Sequence, residues 1–109
     1  MKKILIIEDD LIMRENMAEL LTLVGYKINT AEDGKVGVEK AKSFLPDLII
    51  CDIRMPVLDG YGVLHILSKE VSTASIPFIF VTAKTERNDL RKGMEMGADE
   101  NIKKTPIAY

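Results

Sequence analysis

Carboxylates and a hydroxyl follow three short apolar runs: Glu8 and Asp9 come after residues 4–7, Asp52 after 48–51 and Thr82 after 78–81. Lys104 follows a more polar run at 101–103. If these runs are strands of one parallel sheet, the groups converge at one edge. Crowded carboxylates repel unless a positive charge lies among them, and oxygen-only donors suit a hard divalent cation such as Mg²⁺. Lys104 can bring a point charge to the same edge. A carboxylate beside Mg²⁺, a hydroxyl and an ammonium group is equipped for in-line attack on a phosphoryl group, because the three partners match the three equatorial oxygens of the transition state. The nucleophile in that chemistry is a carboxylate. Asp52 is the choice: it follows the most apolar central run and precedes a loop that Pro56 stiffens and Asp59-Gly60 turns back.

To hold these groups together the chain must supply a sheet and the helices that cover it. The runs at 4–7, 48–51 and 78–81 are apolar without alternation, as central parallel strands require, whereas 27–31 and 101–103 are polar enough for edges. Between them lie helical patterns. Met13, Met17, Leu20, Leu21 and Val24 recur at helical spacing over 12–24 before Gly25, and Val36, Val38, Ala41 and Phe44 do so over 36–44 before Pro46. Two more patterns span 61–69 and 87–96. Right-handed crossovers then give an α/β fold, a doubly wound five-stranded parallel sheet with ligand chemistry at the C-terminal strand ends. No Pro/Gly/Ser linker divides the chain, so a single domain over 1–109 is expected.

Composition narrows the function. The 109 residues include 15 Lys and Arg against 17 Asp and Glu, a formal net charge of -2, so no direct nucleic-acid partner is expected. Glu8, Asp9 and Asp10 interrupt the only apolar stretch near the start, and nothing is long enough to cross a membrane. Cys51 is the single cysteine and reads as a small buried thiol, which places the chain in a reducing, cytoplasmic setting. Taken singly, each site residue has a duller reading: Asp9, Asp10 or Thr82 could cap a helix, and Lys104 could be a solvated charge. The lone His65 is given no role, and the methionines read as core filler.

The segments 4–10, 48–60, 81–83 and 97–99, with Glu8-Asp9-Asp10, Asp52, Met55-Pro56, Asp59-Gly60, Val81-Thr82-Ala83 and Gly97-Ala98-Asp99, resemble the receiver domains of two-component response regulators in order and spacing. The resemblance runs from residue 3 to about 104 and implies the flavodoxin-like strand order 2-1-3-4-5. It implies that Asp9 binds Mg²⁺ directly, that Glu8 acts through metal-bound water, and that the backbone carbonyl of Arg54 is a further ligand. It also implies that Asp52 accepts the phosphoryl group, Thr82 bonds the phosphorylated carboxylate and Lys104 pairs with it. Asp10 falls to the start of the first helix. A sensor histidine kinase or phosphotransfer protein is the implied donor, and a downstream output domain or protein the implied target. Arg54 and Lys84 would flank the approach to the phosphate, and slow spontaneous loss of phosphate is expected.

Some features depart from that family. Asn101 stands where an aromatic ring usually reports phosphorylation, and Thr105 separates Lys104 from Pro106. The sequence ends at Tyr109, so the fifth helix of a complete receiver is expected to be missing or truncated. A chain cut short is the simpler expectation; a dimer that covers the bare sheet face is the alternative. Three functions compete. The first is a phosphoacceptor switch in a histidine-to-aspartate phosphorelay, whose only chemistry is on itself and which is therefore not an enzyme. A hydrolase of the haloacid dehalogenase type would need a second Asp two residues beyond the nucleophile, and Arg54 stands there. A phosphorylation-independent interaction or dimerisation module is the remaining alternative.

Overall fold

The computed structural model describes residues 1–82 and 100–103. Strands and helices alternate: β1 (Lys3–Ile7), α1 (Leu11–Val24), β2 (Lys27–Ala31), α2 (Gly34–Phe44), β3 (Leu48–Asp52), α3 (Gly60–Ser68), the single helical turn α4 (Val71–Ala74) and β4 (Phe78–Thr82). The strands run parallel in the order β2-β1-β3-β4, and a short segment β5 (Glu100–Lys103) is paired beside β4. This is the α/β architecture expected of alternating apolar runs and amphipathic helices.

The central strands are buried because they carry apolar side chains on both faces. Leu5, Ile6, Ile7, Ile49, Cys51 and Phe80 have no measurable exposure. β2 occupies an edge, where its more polar sequence belongs. The better-filled face carries α2 and α3, whose Val38, Ala41, Val63, Leu64 and Leu67 close over Leu5, Ile7, Ile49 and Phe80. Tyr61, Phe78 and Phe80 lock together there edge to face, at centroid separations of 5.3 and 5.1 Å.

Three helices begin in the same way. Asp10, Asp33 and Asp59 precede α1, α2 and α3, and each side chain accepts a backbone N–H from inside the first turn. Those bonds satisfy donors that the helix itself cannot. α1 ends on Gly25, whose φ of 115° is a left-handed conformation that costs glycine little. α2 ends on Leu45 at φ 48°, and Pro46 then prevents continuation.

The first helix stands where it was expected but packs less closely than its stripe suggests, and one short helix was not expected. The stripe on the first helix is only partly inward: Met13, Met17 and Leu21 are half-buried, whereas Leu20 and Val24 are exposed and no residue of α1 is fully buried. Helical spacing marks a side of the helix without fixing how closely that side is packed. The turn α4 was not foreseen either; four residues are too few for periodicity to register. The helix expected at 87–96 lies outside the described residues.

Candidate functional site

The parallel register brings the predicted residues to one edge. Ile7 is paired with Cys51 and Asp52 with Val81, so Glu8, Asp52 and Thr82 leave three adjacent strands at the same end of the sheet. Thr82 closes β4 in register with Lys103; its side chain and all of Lys104 lie outside the description, as does Lys84.

Glu8 and Asp52 are buried, at 1% and 7% exposure, while Asp9 faces solvent. One carboxylate oxygen from each of Glu8, Asp9 and Asp52 lies within 4.8 Å of the other two. Two like charges at that separation, in a site of effective dielectric near 20, repel by about 3 kcal/mol. A shared cation relieves this, and three carboxylates with no sulfur or imidazole among them fit Mg²⁺ better than a soft metal. The exposed Asp9 leaves an open side through which a hydrated ion and a phosphoryl donor can approach.

Local backbone geometry orients the cluster. The Ile53 N–H donates to Asp52 Oδ1 at 2.9 Å and fixes the plane of that carboxylate. The Asp10 N–H donates to Glu8 Oε2 at 3.2 Å, and Arg14 Nη1 donates to the Glu8 carbonyl at 2.8 Å, tying the start of α1 to the end of β1. Asp10 itself accepts the Met13 N–H at 3.0 Å and so serves as the helix cap, as expected from the register of the acidic pair. Sequence reasoning did not single out Arg14. No spacing rule reports a long side chain that folds back onto a backbone carbonyl.

Loop 53–59 continues from Asp52 and frames the site. Ile53 and Met55 point inward at 1% and 9% exposure, while the side chain of Arg54, whose carbonyl was expected to bind metal, is exposed. Pro56 and Leu58 close a γ-turn, with the Leu58 N–H donating to the Pro56 carbonyl at 2.8 Å and Val57 between them at φ 73°. Gly60 then returns the chain, its N–H donating to the Ile53 carbonyl at 2.8 Å. Cys51, the neighbour of Asp52, is fully buried, and its Sγ lies 3.2 Å from the Asp52 carbonyl. His65 is exposed on α3, away from this edge.

The model of the response regulator receiver domain family matches residues 4–107. Among curated proteins, a probable transcriptional regulator, ycf27, of Cyanophora paradoxa is 38% identical over 103 residues, which are 94% of this chain and 42% of that protein. The DNA-binding dual master transcriptional regulator RpaA of Synechocystis is 36% identical over 104 residues, 95% of this chain and 43% of that protein. The chain thus spans about two-fifths of the length of these relatives. Among solved structures, the chemotaxis protein CheY4 of Vibrio cholerae superposes with a TM-score of 0.91 at 28% identity, covering 99% of this chain and 89% of that one. The receiver domain of a histidine kinase from Syntrophus aciditrophicus is 33% identical, with a TM-score of 0.81, covering 99% of this chain and 81% of that one.

Proposed function

We infer the working of this site from one premise: the chain belongs to the response regulator receiver domain family and has that family's phosphoacceptor role in two-component signalling. Asp52 is the acceptor. The observation that carries this assignment is its place among three carboxylates at the C-terminal edge of the sheet, buried and held by the Ile53 N–H.

In this reading Asp52 and Asp9, with the Arg54 carbonyl, would hold Mg²⁺ directly, and Glu8 would act through water. When bound, the ion neutralises charge on the transferring phosphoryl group. A carboxylate oxygen of Asp52 attacks phosphorus in line; the new O–P bond forms as the bond from phosphorus to the donor nitrogen breaks, and the donor imidazole leaves. The Thr82 hydroxyl and the Lys104 ammonium then hold the phosphoryl oxygens. The single charge of the carboxylate is replaced by roughly -2 on the acyl phosphate, a net gain of about one negative charge, and this shifts partner affinity through loops at this edge. The chemistry is on the protein itself, which supports a switch rather than a turnover enzyme.

The pairing of Glu100–Lys103 beside β4 supports a five-stranded sheet, and the family match over 4–107 supports one receiver unit across 1–109. A sensor histidine kinase or phosphotransfer protein is the donor, and an output domain or protein the target. The relatives' descriptions as transcriptional regulators support a transcriptional output. The chain's own net charge of -2 supports a domain that does not itself hold DNA. Among the described residues no helix is long and apolar enough to cross a membrane, which accords with a cytoplasmic setting.

Intact-mass measurement after incubation with acetyl phosphate and Mg²⁺ tests the reading. The native chain gains a single phosphate, and Asp52→Asn gains none. A folded native chain that stays unmodified would give the site to the phosphorylation-independent reading.

A further inference from the structure

Loop 53–59 adopts a conformation that its own sequence disfavours. Val57 is β-branched, sits at φ 73° and is 80% exposed, so neither its intrinsic preference nor burial of its side chain explains the geometry. Such a conformation persists only where the surroundings over-determine it. Two glycines let other backbone approach this loop closely, Gly60 at its base and Gly34 of α2 near its tip. A Cβ at Gly60 would lie 2.3 Å from the Asp52 carbonyl oxygen, so only glycine lets the start of α3 close on the base of the loop. Near the tip, a Cβ at Gly34 would lie 2.2 Å from the Leu58 carbonyl oxygen and 2.9 Å from Leu58 Cβ. The first residue of α2, distant in sequence, is therefore a bare backbone seat for the end of the γ-turn.

We propose that Gly34 is a positioning residue for the phosphoryl site: by receiving the Leu58 carbonyl it sets where loop 53–59 holds the Arg54 carbonyl beside Asp52. This rests on the reading of Arg54 and Asp52 given above. A methyl at position 34 meets backbone rather than the end of a flexible side chain, so the loop must move and its inner anchors, Ile53 and Met55, must follow or strain. Gly62 is the internal comparison. A Cβ there meets Leu58 Cδ1 at 2.4 Å, the movable end of the same residue. Gly62→Ala is absorbed by a side-chain rotation, and Gly34→Ala is not.

The test is calorimetric titration of Mg²⁺ alone into the native chain, Gly34→Ala and Gly62→Ala, with circular dichroism to establish that each is folded and acetyl phosphate labelling as a second readout. Gly34→Ala weakens Mg²⁺ binding by about tenfold, the scale on which the outer support of a metal site acts. It slows labelling in step, and Gly62→Ala leaves both as they are. The double variant Gly34→Ala/Leu58→Gly, in which loss of the Leu58 Cβ removes part of the clash while the carbonyl that Gly34 receives remains, stands in if Gly34→Ala does not fold; it binds Mg²⁺ more weakly than Leu58→Gly alone. Native affinity in a folded Gly34→Ala, or, where that variant fails to fold, equal affinity in the double variant and in Leu58→Gly alone, overturns the proposal. Equal loss in Gly62→Ala overturns it as well, because crowding of either kind would then suffice. A native chain that neither binds Mg²⁺ nor takes up phosphate would instead contradict the functional reading itself.

Discussion

At the scale of the residue, the cluster is built at a cost that its ligand must offset. Glu8 and Asp52 are both buried within a group of carboxylates whose oxygens approach within 4.8 Å. Neutralising one of them relieves repulsion and keeps the shape. Asp52→Asn is therefore more stable than the native chain in the absence of divalent cations, by about 1 kcal/mol once lost hydrogen bonding is set against the relief. Urea denaturation in EDTA measures this; an unchanged or lower midpoint would mean that the repulsion is already offset in the folded chain, as the Lys104 ammonium proposed for this edge would do. Val57 offers a second case. Asparagine tolerates positive φ better than a β-branched residue, so Val57→Asn raises stability by about 1 kcal/mol. Thermal unfolding reads this change. Glu8, Asp9 and Asp52 were legible in the sequence because each follows an apolar run. The strain at Val57 and the reach of Arg14 to the Glu8 carbonyl were not, since φ angles and long side-chain paths leave no trace in spacing.

At the scale of the element, the central strands were the most legible part of the fold. Runs such as Leu48-Ile49-Ile50-Cys51 are too short for a helix and too apolar for an edge, and β1, β3 and β4 stand where those runs fall. Helix starts were less sharply placed: α2 and α3 begin on Gly34 and Gly60, ahead of the first apolar residue, because Asp33 and Asp59 cap them there. The Asp-Gly pair that starts both helices was a usable signal in the sequence. The end of α1 depends on Gly25 at φ 115°, with its N–H donating to the Thr22 carbonyl at 3.0 Å. Gly25→Ala destabilises by about 1 kcal/mol, through backbone conformation alone, because a Cβ there meets nothing within 4 Å. Equilibrium denaturation checks it, and a neutral result would mean that the turn relaxes to another conformation.

At the scale of the whole molecule, the proposed cation would link site and fold. A ligand that binds only the folded chain adds stability in proportion to the logarithm of one plus the ratio of its concentration to its dissociation constant, about 2.7 kcal/mol at one hundred times that constant. Mg²⁺ therefore raises the melting temperature of the native chain, while Asp9→Asn, which removes a proposed direct ligand, loses most of that increment. Equal increments in the two proteins would mean that Asp9 is not a ligand. The architecture was legible at this scale as well, because parallel strands alternating with helices leave few topologies. What the chain switches was not, since the contacts that choose a target are spread over a surface rather than written in a motif. The central claim, that Asp52 carries the phosphoryl group, is tested most directly by locating the group itself. The chain is labelled with acetyl phosphate and Mg²⁺, reduced with borohydride, which converts an acyl phosphate to the homoserine side chain, and mapped by peptide mass spectrometry. Conversion at position 52 alone is the result this account predicts; conversion at Asp9 or Asp10 with Asp52 intact would contradict it.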